Sequence, residues 1–282
     1  MIPATLSLAS RAASALSPAG DRLVGRALGP AWCALDAGRR RAVEANRAAL
    51  AMRFPTARPF ERYVESLVGW LRLLGLSSPQ VRSRTTIEGL APLLAAARAR
   101  RGTVLVAAHV GEWEWGAAAL AAAGLPVVAV SGVQLRTAWT PALRRAKERL
   151  GIEVVGPDAS PVRLARALRR GAVVALLVDG DVVTARCAAD MSGCSVDLPL
   201  GPARLAARFG ARLFAGRCHR ESDDPSRYRI TLAPLDDGTG ESAPALAEAV
   251  LHARVGAWLD ATVREAPGAW CLFRPFFPGP AA

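Results

Sequence analysis

The chain has 282 residues, 51% of them hydrophobic but only 6% aromatic, and a formal net charge of +12. That length can bury a core without disulfides or metals. The five cysteines (Cys33, Cys187, Cys194, Cys218 and Cys271) are odd in number and scattered, with no C-x-x-C pair, so no zinc site follows and a reducing compartment fits.

The basic balance favours anionic partners: an anionic membrane face, phosphate-bearing substrates or nucleic acid. GC-rich coding accounts for an Ala- and Arg-rich chain equally well. Residues 1–35 lack a basic segment followed by a clean apolar run, so they make a poor signal peptide. No stretch reaches the roughly 18 apolar residues of a membrane span. The chain is therefore expected to be soluble or peripheral. Residues 6–35 mix Leu, Ala, Val and Trp32 with Arg11, Arg22 and Arg26. A helix lying on a membrane surface and a helix packed on the domain are equally good readings.

Helices are expected over residues 39–53, stopped by Phe54-Pro55, over 60–76 and over 92–101, ended by Gly102. From there short apolar strands alternate with helices. Strands are expected at 104–108, 127–130, 152–155 and 173–178, and helices at 117–123, 140–150 and 161–170. A polar loop follows Asp179-Gly180-Asp181. Next come a helix at 203–209, strands at 212–218 and 228–232 with antiparallel pairing open, and an amphipathic helix at 243–265. The alternation predicts one α/β domain over residues 1–282, with a mainly parallel sheet flanked by helices and a helical N-terminal region.

Ligands of such sheets sit beyond the C-terminal ends of strands. His109 and Asp179 each directly follow an expected strand, so both are expected at one rim. The segment His109-Val110-Gly111-Glu112-Trp113-Glu114 puts one of only three histidines beside two carboxylates. A histidine with a carboxylate partner can act as general base. On a continuous helix Glu112 would share the face of His109; a strand–loop–helix setting leaves Glu114 open. His219 and His252 read as surface or structural residues. Trp113, Trp115 and Trp270 read first as packing, with the lining of an apolar groove or an interface open to the first two.

The segment HVGEWE resembles the H-x4-D/E motif of the bacterial late acyltransferases of lipid A biosynthesis and of the phosphatidylinositol mannoside acyltransferases. Glu44-Ala45-Asn46 with Phe54-Pro55 is similar to the family's opening, and Lys147-Glu148-Arg149-Leu150-Gly151 to its basic segment. Asp179-Gly180-Asp181, then Gly193 and Pro199-Leu200-Gly201-Pro202-Ala203-Arg204, then Trp270 to Arg274 follow in family order. The resemblance implies a glycerol-3-phosphate acyltransferase-like fold and an O-acyltransferase. It would move a fatty acyl chain from a thioester of acyl carrier protein or coenzyme A to a hydroxyl of a membrane glycolipid. That glycolipid would be a lipid A precursor or, alternatively, a phosphatidylinositol mannoside.

On this reading His109 is the base and Glu114 fixes its tautomer, with Asp179 a rival for that role. Lys147, Arg144, Asp181, Gly201 and Pro202 would meet substrate. No metal or cofactor is implied, nor is nucleic acid a partner; the charge alone leaves a basic nucleic-acid- or lipid-binding protein without catalysis as the alternative. The resemblance also implies a peripheral position at an anionic membrane surface, on the cytoplasmic face of the inner membrane. Glu112 stands where the family usually has asparagine, which puts a second carboxylate by His109.

Overall fold

The computed structural model describes residues 4–131, 140–156, 161–180, 185–236 and 244–277. The chain opens with five helices: α1 (Ala4–Ala15), α2 (Pro18–Leu35), α3 (Ala37–Ala49), α4 (Arg58–Leu73) and α5 (Ser78–Ser83). Strand β1 (Thr85–Glu88) and helix α6 (Leu90–Arg98) lead into the alternating region. There β2 (Thr103–Ala107), α7 (Trp113–Ala122), β3 (Val127–Val130), α8 (Thr140–Arg149), β4 (Ile152–Val155), α9 (Pro161–Arg169) and β5 (Val173–Leu177) follow in turn. The remainder comprises β6 (Arg186–Met191), β7 (Cys194–Pro199), α10 (Gly201–Phe209), β8 (Arg212–Arg220), β9 (Tyr228–Pro234) and α11 (Pro244–Glu265).

Seven strands make one sheet in the order β1-β9-β8-β2-β5-β3-β4. Every pairing is parallel except β8 with β9. The expected α/β architecture is thus present. The central strand β2 reads Thr-Val-Leu-Val-Ala because both faces are covered, and such strands lose the apolar–polar alternation of a half-exposed sheet. Val104 and Val106 face a core shared with α9, α10 and α11, whereas Leu105 faces one built with α4, α7 and α8.

Two elements depart from the sequence reading. The stretch expected as a polar loop after residue 181 holds the antiparallel hairpin β6–β7. Its two-residue turn, Ser192-Gly193, has positive φ at both positions, the geometry that matches hairpin twist. Ala189, Met191, Val196 and Leu198 bury one face of it against α11 residues such as Leu259. The second is β1, a four-residue strand at the sheet edge too short to register as a pattern.

No helix of the described residues is long and apolar enough to cross a membrane. The N-terminal segment packs on the domain. Asp21, Gly25, Gly29 and Cys33 form the buried row of α2. A Cβ on Gly29 would come within 2.6 Å of the Glu61 backbone, so glycine lets α2 lie directly against α4.

Candidate active site

Strands β2 and β5 are neighbours with Ala107 level with Leu177. Two residues beyond each of these lie His109 and Asp179, so the sheet delivers both to the same height on one rim. His109 Nδ1 is 2.8 Å from Asp179 Oδ1, and the His109 backbone N–H donates to Oδ2 at 2.8 Å. The Trp270 indole N–H donates to the same Oδ2 at 2.9 Å, and Arg274 donates to the Asp179 carbonyl at 2.6 Å. The segment carrying these two residues is itself pinned to the histidine. Val110 and Trp270 form a β-bridge, and the Cys271 N–H donates to the His109 carbonyl at 2.7 Å.

This geometry fixes the tautomer. Burial opposes the charge on Asp179, but attraction to His109 and hydrogen bonds from His109 and Trp270 outweigh it, and the net pKa is lowered. An ionised carboxylate only accepts, so Nδ1 carries the proton and Nε2 presents a bare lone pair. The His109 side chain keeps 27% of its surface exposed, whereas that of Asp179 has none. Burial lowers the imidazole pKa, yet the Asp179 charge and hydrogen bond, with Glu114 adding to them, raise it above the ordinary histidine value of 6.5. Such a group takes up a proton readily near neutral pH.

The residue that orients the imidazole is therefore Asp179, and the expectation for Glu114 is corrected. The reason is where the helix starts. Helix α7 begins at Trp113, so Glu114 sits in its first turn and meets α8, where Lys147 Nζ lies 2.9 Å from its carboxylate. Lys147 is itself buried, 5.8 Å from the centre of the Trp70 ring. Its charge is thus engaged by Glu114 inside the protein.

Glu112 does not crowd His109 either. The loop between them turns at Gly111, whose φ is +73° and whose Cβ would lie 2.3 Å from the Cys218 carbonyl, so only glycine fits. That turn sends Glu112 to Arg220, at 2.9 Å. Arg220 also binds Asp21 at 2.6 Å and the Glu65 carbonyl at 3.0 Å, and Arg72 holds the other side of Asp21 at 2.7 Å. Each buried charge in this network has a partner, the condition under which such charges are tolerated. The network joins α2, α4 and β8 to the loop that carries His109.

Three of the other expected substrate contacts sit on helices α8 and α10. Arg144 is exposed and pairs with Glu148 one turn on, at 3.0 Å. Gly201 and Pro202 open α10, where proline suits the first turn of a helix. Asp181 lies outside the described residues. Among the described residues no cluster of histidine, cysteine and carboxylates could hold a metal ion.

Beside His109 an apolar slot runs between the sheet and α7, with about 720 Å³ of empty space when the solvent at its open mouth is included. Ala108 and Val110, on either side of His109, line it, as does Trp113, whose ring stands edge-on to the imidazole at 5.1 Å. Its floor uses small side chains where a packed sheet would carry large ones: Ala107, Ala129, Ala175 and Gly216. Glu114 and Lys147 also line it. Trp115, by contrast, is core: it stacks on Tyr228 at 3.7 Å.

Trp270 and Arg274 are the site residues that sequence reasoning did not assign. Their only sequence signal was the W-x-x-x-R ending, because nothing local reveals that a segment 91 residues beyond Asp179 returns to it.

Comparison with known proteins agrees with this geometry. Residues 56–277 match the family model described as bacterial lipid A biosynthesis acyltransferase. A phosphatidylinositol mannoside acyltransferase of Mycolicibacterium smegmatis is 24% identical over 72% of this chain and 66% of its own length. One from Mycobacterium tuberculosis is 29% identical over 58% of this chain and 52% of its own. The chain thus spans between about half and two thirds of the length of these curated relatives. With the family model covering most of the sequence, the chain belongs to the bacterial lipid A biosynthesis acyltransferase family.

Proposed function

We propose that this protein transfers a fatty acyl chain from an acyl thioester to a hydroxyl of a membrane glycolipid, with His109 as general base. The observation that carries the reading is an Nε2 left bare by the Asp179 pairing, on a histidine whose neighbours Ala108, Val110 and Trp113 line an apolar slot. The acceptor hydroxyl gives its proton to Nε2 while its oxygen attacks the thioester carbonyl. The tetrahedral intermediate then collapses, the C–S bond breaks, and the thiolate takes the proton from the imidazolium. The Asp179 carboxylate stabilises that cation throughout.

Transfer is direct, without an acyl-enzyme on cysteine. Cys218 and Cys271 are the buried thiols near this rim, and burial pushes both well above the ordinary thiol range. The acyl chain lies in the slot, whose apolar lining suits a hydrocarbon. The donor is a thioester of acyl carrier protein or coenzyme A. For the acceptor, the names of the relatives favour a phosphatidylinositol mannoside, and the family description a lipid A precursor.

The test is incubation with acyl thioesters of both carriers and each acceptor, with products read by mass spectrometry. An acceptor heavier by one acyl group supports the reading; thioester hydrolysis alone, or no turnover on any pair, sinks it. The slot adds a finer expectation. A Cβ on Gly216 would sit 3.1 Å from Leu232 and 3.2 Å from Leu105. Gly216→Val should narrow the slot and shift preference toward shorter acyl donors, at a stability cost of about 1–3 kcal/mol for overpacking. Competition between a short and a long donor reads that shift; an unchanged product ratio would remove the slot from the acyl path.

A further inference from the structure

The Asp179 carboxylate is shared unevenly. Among the described residues Oδ1 meets the imidazole alone. Oδ2 takes two N–H donors, the His109 backbone at 2.8 Å and the Trp270 indole at 2.9 Å. Neither donor is free to wander. One belongs to the main chain that continues β2. The other belongs to a side chain only 4% exposed, set edge-on against Phe276 at 5.3 Å, on a backbone bridged to Val110. A buried indole needs an acceptor for its N–H. Here that acceptor is the carboxylate that holds the base.

Two donors on one oxygen stop the carboxylate turning about its Cβ–Cγ bond, so Oδ1 stays on Nδ1. They also hold negative charge. A hydrogen bond to an ionised carboxylate makes it a weaker proton acceptor. Less of the charge is then left to stabilise an imidazolium.

That restraint matters because the groups around His109 pull both ways. Asp179, beyond β5, and Glu114, on α7, favour the imidazolium; burial and Arg274, on the C-terminal segment, oppose it. Cys271, from the same segment, is kept neutral by burial. A base has to be free of its proton before the acceptor hydroxyl arrives. A carboxylate with no indole on it would push His109 further toward the protonated form near neutral pH.

We propose that Trp270 is a positioning residue: by holding Oδ2 it aims Oδ1 at Nδ1 and keeps His109 available as a base at neutral pH. Its part in acyl transfer rests on the function proposed above; its effect on the imidazole does not.

The test replaces Trp270 by benzothienylalanine, in which sulfur stands for the indole N–H and the ring keeps its shape. The chain has three histidines, so proton NMR can follow the His109 ring C–H signals, with His109→Ala to assign them. In the isostere the imidazole should titrate about half a pH unit higher than in the parent chain. A ring-fluorinated tryptophan at the same position keeps the N–H and should titrate as the parent does. Circular dichroism shows that the fold is kept. The acidic limb of kcat/KM should move up with the titration, opposite in direction to the effect of removing the Asp179 charge. Packing alone would move neither. An isostere that titrates with the parent, or a fluorinated variant that shifts as far as the isostere, overturns the proposal. A shifted titration without transfer from any donor would uphold the hold on the imidazole and sink only the acyl-transfer reading.

Discussion

Replacing His109 by alanine is expected to lower kcat for acyl transfer by on the order of 10³-fold or more, with little change in stability. The rate falls because no other described group takes the acceptor proton at that place. The fold persists because the buried Asp179 carboxylate keeps two donors that the substitution does not touch, the residue-109 backbone N–H and the Trp270 indole. The buried charge is therefore not orphaned, the usual route to a large destabilisation. Thermal unfolding and far-UV circular dichroism check the fold, and single-turnover kinetics check the rate. Undiminished transfer by a folded alanine variant would rule out this base.

Asp179→Asn should be more damaging than its small change in shape suggests. Position Oδ2 receives two N–H donors, so an asparagine must keep its oxygen there. Its amide group is then forced to the Oδ1 side, where it donates to Nδ1. The imidazole proton moves to Nε2, and the lone pair that accepts the substrate proton is lost. The expected fall in kcat is on the order of 10³–10⁴-fold, the scale seen when a catalytic histidine is held in the wrong tautomer.

The pH profile gives the variant a second signature. In the parent chain His109 titrates above the ordinary 6.5, so kcat/KM should rise with pH and level off only above that value. Asparagine removes the charge that raises the imidazole and leaves burial, which lowers it. The acidic limb should therefore move to lower pH. The same sign governs stability: the gain from charged His109 is full below about 6.5 and is lost as pH rises through the raised value of the folded state. Residual activity whose acidic limb stays at the parent's position would separate Asp179 from the base.

Much of this was legible in the sequence because the parallel strands are buried on both faces. Runs such as Val127–Val130 and Ile152–Val155 coincide with the expected strands to the residue. The rim shared by His109 and Asp179 also followed from strand ends alone. The choice between Glu114 and Asp179 did not, because it turns on where α7 begins and which strand lies beside β2. The expected helix began four residues later than the real one, and Trp113 and Glu114 then read as loop. Hairpin β6–β7 escaped because its apolar residues are diluted by Asp190, Asp197 and two serines. The outward leucines of α2 (Leu23, Leu28 and Leu35) were visible only as mixed composition; their direction depends on Gly25 and Gly29 meeting α4.

The Trp270–Arg274 segment gives the protein a built-in order of maturation. On a ribosome the strand bearing His109 emerges long before residue 270. Until that later segment docks, Val110 lacks its β-bridge and Asp179 lacks both its indole donor and the arginine on its carbonyl. A nascent chain that has already folded its sheet would hold an imidazole with a loosely held partner. A fully held His109–Asp179 pair then waits until nearly all of the described chain has been made.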